Sequence, residues 1–506
     1  MGTAAKIAKN SASNGTAFLV EAITAFAMMP YVIHYIGDEA YGVWILINAV
    51  SGYLGLFKLG FRPSINKHVS HYKALSEFAK MREFVAATIL AFVCVAGGAF
   101  VVSAIVAYSL PNWTDLDSGL LEMAQVLILF AGAQMAIALM GTVYGGVISG
   151  YQRYDINAGI EISVIVVRAA IIFLLLPYFT SLYAVALTHF AITIIGYFVT
   201  IYFGRRVAPV KALKVFIKPP KDISDTIIKF NSISFAIGGL SILVKYADSI
   251  IVGALISTAA ITHYAVGGRL IKYTSDLLSV TTRVIAPAIS ELDAKNDVKK
   301  IGVLVLNVTK FACFVSFAIL LCLVLQGQEF IFLWMGGGYE ESYNILFILA
   351  LAYFFICPQQ VVNPLLFGTS KHDLLLKLLL IETVISLPLA FYLGEQQGMV
   401  GVAIGLMWPR AVLRVLFLIF IVHKRLNLNP LIFFAKTYFR IAWVALPYGG
   451  MLYWSKVNGF CEGWISFALQ LMVCLVVYLI SLVVFGLNSE ERVYIFSKFK
   501  MLKSKK

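Results

Sequence analysis

Fourteen apolar runs of helix length recur along this 506-residue chain, and no other feature constrains its fold as strongly. A run of about twenty apolar residues crosses the hydrocarbon core of a bilayer as a helix, because each residue adds only about 1.5 Å. A membrane β-barrel would instead alternate polar and apolar residues over strands of about ten. With 60% hydrophobic side chains, only 13% charged and a mean hydropathy of +0.87, the chain falls outside the soluble classes. The expectation is an all-α polytopic membrane protein of about 14 transmembrane helices. The spans are expected at 12–36, 40–61, 84–109, 120–149, 154–179, 182–204, 228–256, 261–290, 300–326, 343–367, 373–394, 398–423, 433–455 and 463–487.

The basic residues orient these spans. A net charge of +14 would suit nucleic acid if it formed one patch, but the cations are distributed by loop. On one side lie Lys6 and Lys9, Arg62 to Arg82, Arg153, Arg205 to Lys229, Lys295 to Lys300, Lys371 and Lys377, Lys424 to Arg440, and Arg492 to Lys506. On the other lies Lys456. Basic loops stay in the cytoplasm, so both termini are expected there, the lipid bilayer is the expected surrounding, and no nucleic-acid partner is implied. The first run contains Glu21 and is too long for the core of a signal peptide, which makes it an uncleaved first span.

The opposite loops are short, the largest being Gly327–Ser342, and none is large enough for an extracytoplasmic domain. Of six cysteines, Cys94, Cys313, Cys322, Cys357 and Cys474 lie in apolar runs and Cys461 lies alone, so no disulfide framework or paired-cysteine metal site is expected. No GxxxxGK[ST] loop supports direct nucleotide coupling, and no HExxH metal motif occurs.

The two halves resemble each other. Glu39-Ala-Tyr-Gly-Val matches Thr262-His-Tyr-Ala-Val, and Gly150-Tyr-Gln-Arg-Tyr-Asp155 matches Gly368-Thr-Ser-Lys-His-Asp373, at nearly equal offsets. Spans 1–6 and 7–12 therefore read as parallel repeats. The domains expected are an N-terminal lobe (1–204), a basic linker (205–227), a C-terminal lobe (228–423), and a region (424–506) holding spans 13 and 14 with a basic tail. Transporters built of repeats commonly bind substrate between them.

Ionisable residues inside spans mark candidate sites, since each charge costs about 2.5–3.5 kcal/mol at a helix centre on insertion scales. Arg269, Lys272, Asp276 and Arg283 on span 8 fall within about 60° of one helix face. They read either as a wall of a water-filled path or as packing charges, with Asp276 pairing Lys272. That pair leaves Arg269 and Arg283 unexplained, although Arg283 is near enough to the cytoplasmic end to snorkel. Span 2 carries Lys58, with Arg62 one turn on. Lys245 and Asp248 on span 7 are spaced as a local ion pair, and Arg168 on span 5 and Arg410 on span 12 sit near mid-span beside Glu161 and Arg414. Glu382 on span 11 is a candidate partner for either arginine, and the sequence does not assign it to one. Glu21, Asp248 and Asp276 are the carboxylates that could couple transport to H⁺ or Na⁺, because desolvation raises a carboxyl pKa towards neutrality. Cations outnumber anions in the spans, which favours an anionic substrate such as a phosphate.

Asn14-Gly-Thr, Tyr35-Ile-Gly-Asp-Glu-Ala-Tyr-Gly-Val-Trp44, Leu59-Gly60, Gly145-Gly-Val-Ile-Ser-Gly-Tyr-Gln-Arg-Tyr154 with Asn157, and Asp248-Ser-Ile-Ile-Val-Gly253 resemble the Wzx-type polysaccharide flippases of the multidrug/oligosaccharidyl-lipid/polysaccharide exporter superfamily. Many relatives read Asp-Leu-Gly where this chain has Lys58-Leu-Gly60. The resemblance covers essentially the whole chain. It implies two six-helix lobes forming a V, plus two extra C-terminal helices, with spans 1, 2, 7 and 8 lining a cavity. It also implies transfer of an undecaprenyl-pyrophosphate-linked oligosaccharide across the bacterial inner membrane by alternating access, with polysaccharide polymerase and chain-length machinery as candidate partners. The cationic residues Lys58, Lys245, Arg269, Lys272, Arg283, Arg168 and Arg410 are the expected substrate-facing set. A related drug or lipid-precursor exporter is the alternative. A membrane glycosyltransferase or polymerase fits less well, because its acidic catalytic residues would need a larger extracytoplasmic loop than Gly327–Ser342.

Overall fold

The computed structural model describes residues 3–58, 61–112, 114, 116–208, 232–283, 285–458, 463–488 and 491–492, and every regular element among them is helical. Ten helices are long and apolar enough to cross a membrane. Two of the ten contain two spans each. α1 (Thr3–Leu54) is interrupted by Gly37, at φ 81° and ψ 167°, where a loop over Gly37–Ala40 is expected. The later interruption, Gly398 at φ 60° and ψ −141°, replaces an expected loop over 394–398. Glycine reaches that backbone region without a Cβ clash, so each pair of spans is joined by a single non-helical residue. Two further helices, Thr258–Arg283 and Arg440–Val457, fall outside the ten but stand where spans 8 and 13 are expected. Among the described residues, helices thus stand at all fourteen expected positions.

The chain divides into two compact units, residues 1–262 and 263–506. In the first, α1 is followed by α2 (Phe61–Ala74), α3 (Phe78–Ser109), α4 (Ser118–Gly150), α5 (Tyr154–Leu175), α6 (Leu182–Val207) and α7 (Ser232–Leu255). α4 is the hub, packing on α1, α2, α3, α5 and α6. Its Leu139, Val143 and Val147 close the main core with Val69 of α2 and Phe84 and Phe92 of α3. Of the expected linker, residues 209–227 lie outside the described residues.

The second unit takes up the chain within α8 (Thr258–Arg283). It continues through α9 (Ala286–Ala294), α10 (Val298–Met335), α11 (Glu340–Ile356), α12 (Val362–Gly368), α13 (His372–Lys424), α14 (Pro430–Phe434), α15 (Arg440–Val457) and α16 (Trp464–Ser481). α10 is 38 residues long, about 57 Å at the helical rise, so most of the loop expected over 327–342 is helix, ending at Gly336. Spans 13 and 14 dock on it through buried polar groups. Gln326 Nε2 donates to the Leu452 carbonyl at 2.7 Å, Tyr478 Oη to the Phe314 carbonyl at 2.5 Å, and Tyr448 Oη to the Ala318 carbonyl at 3.0 Å. In lipid such bonds are among the forces that join helices, since hydrocarbon surrounds both the joined and the separated states.

Both units contain the same elbow. Span 8 is expected to run to Ser290, but α8 stops at Arg283 and α9 begins at Ala286, with Pro287 in its first turn. Span 2 likewise stops short, and α2 begins at Phe61 with Pro63 in its first turn. Ser70 Oγ donates to the Gly150 carbonyl at 3.0 Å, and Ser290 Oγ to the Gly368 carbonyl at 3.1 Å. The elbow helices end at Ser76 (φ 58°) and Asn296 (φ 53°), each followed by an acid that pairs with a lysine three residues on: Glu77–Lys80 at 2.9 Å and Asp297–Lys300 at 2.8 Å. Gln152 (φ 59°) and Ser370 (φ 55°) hold the same position in the two matched hexapeptides.

The elbows need small residues at their contact. A Cβ on Gly150 would stand 2.6 Å from Val69 Cγ1, and one on Gly368 would stand 2.8 Å from Ile289 Cγ2. Gly150→Leu is therefore expected to cost about 1–3 kcal/mol through overpacking. Gly97→Leu, where nothing lies within 4 Å, should leave stability unchanged. Thermal unfolding of the two variants in one detergent makes the comparison, and equal melting temperatures would refute the contact.

Candidate functional site

Charges within the spans form separate groups. In the first unit, Arg168 of α5 and His189 of α6 are equidistant from the turn at 178–179, so the α5–α6 hairpin brings them to one depth. Arg168 Nη1 lies 3.1 Å from His189 Nδ1. Glu21, exposed on α1, acts electrostatically on Arg168, and the Trp44 indole meets the imidazole edge-on with ring centres 5.0 Å apart. His189 and Trp44 do not figure among the sequence-expected site residues. The available signal was their neighbour's need for a partner together with the symmetry of a short hairpin.

A second group joins α1 and α7. Tyr53 Oη donates to the Leu243 carbonyl at 2.8 Å, and its ring lies 5.8 Å from that of Tyr246. Lys245 is exposed, its ammonium 5.0 Å from the centre of the Tyr246 ring, a cation–π distance. Asp248 accepts from the Ser249 amide at 2.7 Å and from the Ser249 hydroxyl at 3.2 Å. Lys58 closes the 3₁₀ turn Gly55–Lys58, and its side chain lies outside the described residues.

In the second unit, α8 carries the charged stripe as one continuous helix, with Arg269 and Asp276 half-buried and Lys272 exposed. Arg283 is its last residue, and that side chain also lies outside the described residues. Beside the stripe, Gln360 Nε2 donates to the Ser275 carbonyl at 3.0 Å and to its hydroxyl at 2.8 Å.

The most buried carboxylate among the described residues is elsewhere. Glu382 is 1% exposed, and Arg414 grips it with two bonds, Nε to Oε1 at 2.8 Å and Nη2 to Oε2 at 3.1 Å. Glu382 and Arg414 are equidistant from Gly398, the turn that reverses the helix. Arg410 Nε approaches Oε2 to 3.7 Å, and its Nη1 donates to Met407 Sδ at 3.6 Å. Two guanidinium groups thus share one carboxylate. A parallel two-point bond is among the stronger polar contacts, and poor solvation makes it stronger still.

After span 14, Glu491 pairs at 2.6 Å with Lys310 of α10, which is 5% exposed. Burial pulls the Glu491 carboxyl upward, but the Asn488 amide and Lys310 ammonium hold it below the ordinary carboxylate range. On the lightly charged loop side, Lys456 lies 3.4 Å from Glu329.

A bundle of membrane helices that keeps ionised side chains between them has the make-up of a transporter. Solved structures share the fold. A lipid II flippase, MurJ, in an inward closed conformation superposes with a TM-score of 0.72 at 14% identity, covering 94% of this chain and 98% of its own. An inward-facing multidrug resistance MATE family transporter of the MOP superfamily gives 0.62 at 14% identity, over 79% of this chain and 92% of its own. In sequence, a Shigella flexneri protein named "Putative O-antigen transporter" is 22% identical over 420 residues, 79% of this chain and 93% of that protein. Residues 7–293, more than half the chain, match the family described as polysaccharide biosynthesis protein, and the chain belongs to that family. It is a multi-pass helical membrane protein and shares the fold of the MurJ and MATE structures.

Glu382→Ala would leave two half-buried guanidinium groups without their shared anion. A loss of about 3–5 kcal/mol is expected, read as a fall in detergent melting temperature. Glu491 gives a pH prediction. Its folded-state pKa is depressed, so the stabilisation is present above the ordinary carboxylate pKa of about 4.3 and disappears as pH falls through the lower folded value. Glu491→Gln should flatten that part of the stability–pH curve, and a variant curve parallel to wild type would contradict the Lys310 pairing.

Proposed function

We propose that this protein moves an undecaprenyl-pyrophosphate-linked oligosaccharide from the cytoplasmic to the periplasmic leaflet of the bacterial inner membrane by alternating access. The two repeated lobes, 1–204 and 228–423, would rock about a central path, and both termini and the basic loops would lie in the cytoplasm. The observation that carries this reading is the stripe on α8. A membrane helix of a polysaccharide-family transporter retains Arg269 and Lys272 where lipid-facing helices carry neither.

In this reading Arg269 and Lys272 attract the pyrophosphate, helped by Lys58 and Lys245 and, at the cytoplasmic mouth, by Arg283. Guanidinium binds phosphate oxygens in pairs, whereas ammonium acts as a mobile point charge. The bidentate bond between Arg414 and Glu382, with Arg410 beside it, supports a structural role for that arginine pair. Glu21, Asp248 and Asp276 are the candidates for coupling to H⁺ or Na⁺. A glycan polymerase and its chain-length machinery would take the product on the far side.

Replacing Arg269 with Ala is expected to reduce glycan export at least severalfold while protein abundance in the membrane is unchanged. Normal export at normal abundance would remove Arg269 from the site. The same cationic chemistry would serve a peptidoglycan lipid precursor, and the lipid-linked glycan that accumulates on deletion of the gene separates the two substrates.

A further inference from the structure

Arg205 and Arg206 close α6 on the side of the basic loops, and both are exposed. Tyrosines orient them. Arg205 Nε donates to the Tyr144 hydroxyl of α4 at 3.3 Å, and Arg206 Nη1 donates to the Tyr202 hydroxyl one turn back at 3.1 Å. A guanidinium carries its N–H donors in a planar fork, so each arginine keeps a two-donor edge: Nη1 and Nη2 of Arg205, Nε and Nη2 of Arg206. Neither has a carboxylate partner among the described residues. Other cations on this side do: Lys80 has Glu77, Arg153 has Asp155, Lys295 has Glu291 and Lys300 has Asp297. Keeping basic residues on one side of a membrane requires only their presence there, not an oriented edge or the lack of an anion. Two oriented edges without an anion suit a phosphate group, whose oxygens guanidinium binds in pairs.

The helix face that leads to them is apolar. At about 100° per residue, Ile195, Phe198, Tyr202 and Arg206 lie within about 80° of one face of α6, and the first three are exposed. The helix rises about 16 Å from Ile195 to Arg206. Half of a hydrocarbon core is about 15 Å, so the stripe has the length of the acyl chains in one leaflet and sets the guanidinium groups at the level of the headgroups.

We propose that this end of α6 binds an anionic phospholipid of the leaflet on the basic-loop side: its phosphate accepts from the two arginine edges, and its acyl chains lie along Ile195, Phe198 and Tyr202. Basic pockets at the ends of membrane helices take anionic headgroups in this way. Tyr144 is a positioning residue, because it aims the Arg205 fork from beneath. The site lies on a different helix from the α8 stripe and does not depend on what the protein transports.

The full chain is taken from nanodiscs of equal parts phosphatidylglycerol and phosphatidylcholine, and the lipids it retains in detergent are counted by native mass spectrometry. Wild type is expected to prefer phosphatidylglycerol about tenfold, the worth of one charge-assisted hydrogen bond. Arg205→Gln with Arg206→Gln should abolish the preference, and since both side chains are exposed the packing is left intact. Lys295→Gln with Lys300→Gln removes the same charge from carboxylate-paired positions and should keep the preference. Tyr144→Phe leaves the net charge unchanged and should lower the preference severalfold. No preference in wild type, or equal loss in the two double variants, overturns the proposal. An unchanged preference in Tyr144→Phe would reduce the site to plain charge attraction and overturns it too. Displacement of phosphatidylglycerol by equimolar polyprenyl pyrophosphate would assign the site to a polyprenyl carrier and overturn it as a site for bilayer lipid.

Discussion

The structure depends on one constraint: between the helices of a membrane protein there is no water to solvate a polar group, so each must be satisfied by the chain itself. The response is visible at every scale. Single glycines turn the chain at 37 and 398, leaving almost no backbone outside a helix. Hydroxyl groups of Thr88, Thr142, Thr200 and Thr383 return to carbonyls one turn back on their own helices. Glutamines and tyrosines on α10, α15 and α16 hold the last two spans to the second unit.

The same constraint sorts the charges. Glu382, Arg410 and Arg414 form a compact group, in which Arg414 bonds both carboxylate oxygens of Glu382 and Arg410 lies beside them. Lys310 reaches out of its span to Glu491 beyond the last helix. Lys272 and Lys245 are exposed on their helices, and exposure of a cation along a membrane-length helix is tolerated where it faces water or a ligand. Geometry, not residue type, therefore separates the buried charges from the exposed ones.

The internal repeat gives that sorting a frame. An elbow helix follows span 2 in the first unit and span 8 in the second, and each elbow packs on a glycine at the end of a later span: α2 on Gly150 and α9 on Gly368. Even the left-handed turn residues and the flanking acid–lysine pairs recur. The two elbows share these details, while the charges around them differ. The first unit carries the Glu21–Arg168–His189 row, and the second carries the α8 stripe and the Glu382 cluster.

The sequence by itself determined the helical class, the fourteen spans and the repeat, because hydrophobic length and local turn chemistry are properties of contiguous residues. It also marked nearly all the buried charges, since an arginine in an apolar run is conspicuous wherever it points. Only the tertiary structure decided their partners. That Glu382 belongs to Arg414 and Arg410, and not to Arg168, depends on the reversal at Gly398, and that His189 receives Arg168 depends on the reversal at 178–179. The ends of the second and eighth spans were decided there too, by elbow helices that need a neighbouring glycine to pack against. Periodicity gives the face on which a side chain lies, but pairing is set by where a turn folds one helix back upon another, and that is a relation between segments.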